Sequence, residues 1–135
     1  MRCIIFSILF IATIFNVSAQ SNNKITFTIK GCTYSTNNKD YKLCQKDVTN
    51  RFVVLDMDND KWIFYLEKTE EYKIIKKEKS KYENTSLNQI TFQVIDEKND
   101  PLVLVYLYGT NDAGTSLYRL FRIAEQTTLY TLEPF

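Results

Sequence analysis

The residues best placed to do chemistry are Asp56, Asp58 and Asp60, which alternate in the run Asp56-Met57-Asp58-Asn59-Asp60, with Glu67 farther on. Carboxylates at alternate positions followed by a distant glutamate are the ligand spacing of a calcium-binding loop, and Ile63 falls where such a loop carries an apolar residue. Lys61, however, stands where that loop needs glycine for its sharp turn, and an ammonium group there opposes a cation. The flanks Phe52 to Leu55 and Trp62 to Leu66 also read as strands rather than helices. The expectation is a solvated turn in which Asp and Asn side chains bond the local backbone. Asp56, Asp58 and Asp60 are weak metal candidates only, and no cofactor is implied.

Catalysis has little support elsewhere. Histidine is absent from the 135 residues, which removes the commonest general base near neutral pH and the commonest metal ligand. The paired carboxylates Asp56/Asp58 and Glu70/Glu71 lie among charged neighbours that offer no desolvation to raise a pKa. No linear motif places a lysine or a carboxylate as base beside a serine or threonine nucleophile. The chain therefore reads as non-catalytic, with a histidine-independent hydrolase as the remote alternative.

A basic cluster, Lys73, Lys76, Lys77, Lys79 and Lys81, has Glu70, Glu71, Glu78 and Glu83 interleaved and contains no arginine for bidentate phosphate contacts. It reads as a solvated strand edge, where lysines discourage edge-to-edge pairing, and nothing steers the protein to nucleic acid. Asn84-Thr85-Ser86 fits an N-glycosylation acceptor, relevant in a eukaryotic source.

The aromatic residues offer binding chemistry instead. Trp62, Phe64, Phe92, Tyr106, Tyr108 and Phe121 are the candidate ligand-binding residues, because large flat apolar faces with polar tips grip small molecules or partner proteins. Tyr106 and Tyr108 point to the same side of one strand and form the leading pair.

The elements that must position these residues are strands. Ile25, Phe27 and Ile29 alternate with polar residues, as do Ile90, Phe92 and Val94, the period-two pattern of a strand with one buried face. Phe52 to Leu55, Trp62 to Leu66 and Leu117 to Ile123 add three more, and Thr128 to Leu132 is a short last strand. Leu102 to Tyr108 is apolar on both faces and is expected to run through the centre, covered on both sides. Residues 69 to 82 carry a helix-like charge order, acidic then basic. The alternation of Tyr72 and Ile74 about Lys73 and the preceding hairpin nevertheless favour a strand.

The fold class is thus all-β, an antiparallel meander of about seven or eight strands that protects its edges by closing as a small barrel or packing as a two-sheet sandwich. A barrel would offer an internal apolar pocket, with Leu104 joining the aromatics as lining. A sandwich would bind through the tyrosines or the polar excursion Gly31 to Asn50.

Residues 1 to 19 read as a cleavable export signal: Arg2, an apolar run from Ile4 to Phe15, then Val17-Ser18-Ala19 before the cut. The run is shorter than the roughly 20 apolar residues of a membrane span. Residues 20 to 135 are then expected to form a single β domain, secreted or periplasmic, with no membrane span. Without Arg2, its 16 Lys plus Arg balance 16 Asp plus Glu. Charged residues such as Lys61, Glu67, Arg119 and Arg122 at or within the strands argue against an outer-membrane barrel. Two cysteines remain beyond the signal, Cys32 and Cys44, and an oxidising compartment predicts one disulfide between them. The expected function is binding: of a small apolar ligand, or of another exported protein as a structural or inhibitory partner.

Overall fold

The computed structural model describes residues 23–83 and 85–135. The expected export signal and Asn84 of the expected glycosylation acceptor lie outside the described residues. The strands are β1 (Lys24–Ser35), β2 (Lys42–Leu43), β3 (Phe52–Asp56), β4 (Lys61–Tyr65), β5 (Thr69–Lys81), β6 (Asn88–Ile95), β7 (Pro101–Thr110), β8 (Ser116–Ile123) and β9 (Thr127–Pro134). Every pairing is antiparallel, in the order β2-β1-β3-β4-β5-β6-β7-β8-β9. β9 returns to β1, from Phe27 opposite Pro134 to Ser35 opposite Thr127, and closes an eight-stranded up-and-down barrel with β2 as an extra strand. Closure removes the open edges a meander would otherwise expose. The barrel is thus the form taken, and the stretch with helix-like charge order is strand β5. No helix among the described residues is long and apolar enough to cross a membrane.

The interior follows from the alternation. Phe27, Ile29, Val53, Trp62, Phe64, Phe92, Val94, Leu104 and Leu120 are almost completely buried inside. Aromatic packing ties the layers together: Trp62 meets Phe92 edge-on with centroids 5.4 Å apart, and Phe64 meets Tyr72 edge-on at 5.3 Å. β7 departs from the expected two-sided cover. Its inward residues Leu102, Leu104 and Tyr106 meet the core, whereas outward Val103 and Val105 stay half-buried and outward Leu107 is covered.

Two bulges adjust the strands. In β1 the pairing with β9 slips between Ile29 and Gly31, and the strand continues to Ser35, so the polar excursion begins later than expected. In β5 the pairing with β6 slips between Ile74 and Lys76. Ile75 is the extra residue, and one extra residue reverses which face the following side chains occupy.

The two ends of the barrel differ. At one end the excursion 36–50 folds back: β2 pairs with Thr33 and Tyr34 of β1, and Cys32 is disulfide-bonded to Cys44 with Cα atoms 5.5 Å apart. Val48 and Leu66 pack on the core there. Beneath them the Tyr72 hydroxyl donates to Glu70 Oε1 at 2.5 Å and accepts from Arg122 Nε at 3.1 Å. At the opposite end, the turns 57–60, 82–87 and 111–115 surround an open mouth.

Candidate functional site

The mouth contains a cavity of about 400 Å³. Ile25 and Phe27 of β1, Leu55 of β3, Met57 of the following turn, Ile90 and Phe92 of β6 and Pro134 of β9 form apolar walls, and Tyr106, Tyr108 and Tyr118 an aromatic one. Lys77 and Lys79 of β5 complete the lining and are its only charged residues among the described ones. That size and composition are those of small-molecule sites, which are concave and largely apolar with a few polar groups.

The aromatic wall follows from register. Tyr106 and Tyr108 share a face of β7, and Tyr118 stands directly opposite Tyr108 on β8. The Tyr106 and Tyr108 rings stack, with centroids 5.0 Å apart and planes 16° apart, and Phe27 tilts against Tyr106 at 5.5 Å. Burial first, and then the neighbouring Tyr118 and Tyr108 phenols, push the Tyr106 hydroxyl well above the usual phenol range. It therefore stays a neutral donor at all ordinary pH. Trp62 lies against Phe27, Phe92 and Tyr106, and its buried indole N–H has no hydrogen-bond partner among the described residues.

The turn 57–60 holds one lip of the mouth. Buried Asp56 accepts from the Asn59 amide N–H at 3.3 Å and from Asn59 Nδ2 at 2.9 Å, with Lys24 Nζ 3.8 Å away. The Asn59 side-chain bond is the chief reason the Asp56 carboxyl sits below its ordinary range; burial opposes it, and the Lys24 and Lys61 charges assist. Asp58 accepts from Asn23 Nδ2 at 2.8 Å. The acidic run therefore serves as turn chemistry, flanked by strands, and no group of three His, Cys, Asp or Glu side chains that could hold a metal occurs among the described residues.

The expected binding residues separate into three groups. Phe92, Tyr106 and Tyr108 line the cavity. Trp62, Phe64 and Leu104 are inward but belong to the solid core. Phe121 does not face the interior at all, which corrects its place among the lining: it stands opposite Val105 and Leu129 on the outer face, because Leu120 and Arg122 take the inward positions of β8. Phe27 and Ile90 were readable as inward by alternation, whereas Leu55 sits in an all-apolar run and Tyr118 on a strand whose two faces hydropathy does not separate. Met57 and the two lysines were not, since a turn and a bulge set their directions.

A larger hollow of about 540 Å³ at the disulfide end is lined by Lys46, Asp47, Val48, Arg51, Leu66, Glu67, Lys68 and Glu70. Lys46 and Glu67 pair with each other there at 2.8 Å, and the lining is charge-rich where that of the mouth is aromatic. The mouth is therefore the stronger site for an apolar molecule. No protein-family model matches the chain, and neither a curated protein nor a solved structure does.

Proposed function

We propose that this protein is an exported, non-catalytic binding protein whose barrel mouth takes up a small, largely apolar molecule. The single observation that carries this reading is the aromatic-lined cavity of about 400 Å³ at the open end of an otherwise filled barrel. Export agrees with the Cys32–Cys44 disulfide, which persists in an oxidising compartment, and with the apolar N-terminal run.

The test is fluorescence titration with a neutral apolar probe such as N-phenylnaphthylamine. Saturable binding at one site per chain is expected. Ile25→Trp, which places a larger ring at the lip, weakens it, whereas Ile123→Lys on the outer face leaves it unchanged. Binding that fails to saturate, or that Ile123→Lys abolishes and Ile25→Trp spares, would overturn the proposal.

A further inference from the structure

The lysines of the mouth extend the proposed function, on which this inference rests. A strand running on from Tyr72 and Ile74 without a bulge would turn Lys76, Glu78 and Ser80 inward. The extra residue Ile75 reverses this: Lys77 stands opposite Phe92 and Lys79 opposite Ile90, on the face that looks into the cavity. Ile75 itself is left 58% exposed.

The two sets of charges are treated differently. Outward Lys76 is paired with Glu78 at 2.9 Å. Lys77 and Lys79 have no ion-pair partner among the described residues, and no carboxylate side chain lines the cavity. Glu78, between them in the chain, is the partner of Lys76, and on the 57–60 lip Asp56 is engaged by Asn59 and Asp58 by Asn23. Residues 76–81 pair with β6 but not with β4, so Lys77 and Lys79 stand on a strip of β5 free on that side. An apolar cavity with two uncompensated ammonium groups on one wall complements a molecule that is apolar over most of its length and anionic at one end.

We propose that the ligand is a single-chain amphiphile with a carboxylate head, whose apolar tail enters against Phe27, Phe92 and Tyr106 and whose head is held by Lys77 and Lys79. The phenols of Tyr108 on β7 and Tyr118 on β8 line the same cavity and offer hydroxyl hydrogen-bond donors.

The test compares three amphiphiles of equal tail length, dodecanoate, dodecanol and dodecyltrimethylammonium, the two ions below their micelle concentrations and the alcohol below its solubility limit, as competitors of the neutral probe on the disulfide-intact protein. Dodecanoate should displace the probe at about tenfold lower concentration than dodecanol, as two partly solvated charge contacts imply, and the cation should be weakest. Lys77→Gln with Lys79→Gln should bring dodecanoate to the level of dodecanol, and the melting temperature should hold because both side chains are exposed. Lys77→Glu with Lys79→Glu should reverse the order of anion and cation. Equal displacement by dodecanoate and dodecanol in the parent protein would overturn the assignment of the head group while leaving the apolar site in place. Failure of all three to displace a saturably bound probe would exclude the amphiphile altogether, and failure of the probe itself to bind would remove the site on which both readings stand.

Discussion

Removing the disulfide should separate stability from binding, because the staple and the cavity occupy opposite ends of the barrel. Cys32 and Cys44 are 12 residues apart, and the bond ties β1 to the two-residue β2 and the excursion beyond it. In the chain-entropy description, a closed loop of that length contributes about 3 kcal/mol by restricting the unfolded chain. For a domain of this size that corresponds to a fall in melting temperature of roughly 10–15 °C. Little else is lost with the bond. β2 adds one short pairing, and the Cys44 N–H to Cys32 carbonyl contact of 3.1 Å can form without the sulfurs. None of the cavity lining comes from residues 31–50. Cys32→Ser with Cys44→Ser should therefore lower the melting temperature by that amount, followed by circular dichroism, while probe affinity at a temperature well below melting stays within twofold of the parent. A melting temperature within about 3 °C of the parent would refute the loop-entropy argument. Loss of probe binding in the folded variant would refute the separation of the two ends.

Two pH-dependent outcomes follow from groups whose causes are visible. Asp56 is held below its ordinary range chiefly by Asn59, so its contribution is fully present above the unfolded value near ~3.9 and is lost as pH falls through the lower folded value. Asp56→Asn should cost about 1–2 kcal/mol in urea unfolding at pH 7 and progressively less under acid; a cost independent of pH would contradict the carboxylate's role. At the alkaline side, burial raises Tyr72, Tyr106 and Tyr130, Tyr130 to about 12, with the Glu70 acceptor adding to the shift of Tyr72. Their contribution is complete below the ordinary phenol value near ~10 and is lost as pH rises through the higher folded values. Spectrophotometric titration should show three of the 9 tyrosines ionising late, and titration of all of them together in the folded protein would refute the burial.

What could be read in the chain was local. Period-two alternation marked the inward residues of β1 and β6, an all-apolar run marked β7 as a strand, the Asp and Asn runs marked the turns, and two cysteines beyond the apolar leader left one possible bond. The same-side placement of Tyr106 and Tyr108 also needed only strand geometry. β8 shows where this stops. Its faces are Tyr118, Leu120 and Arg122 against Arg119, Phe121 and Ile123, each with one arginine, so hydropathy did not choose between them. Tertiary structure chose, because Arg122 finds Tyr72 inside the barrel and its stem fills space beside Leu104, its partner in register.

The sequence by itself determined strands, turns and the disulfide pair, since each depends on neighbours a few residues apart or on residue types too few to allow alternatives. Tertiary structure alone decided closure through β1 and β9, whose pairing joins segments about a hundred residues apart, and with closure the existence of a mouth. It also decided the direction of Lys77 and Lys79, for a bulge is a slip in pairing between two strands that neither strand records alone. One residue, Ile75, turns what reads as a solvated charged edge into a charged wall of the cavity.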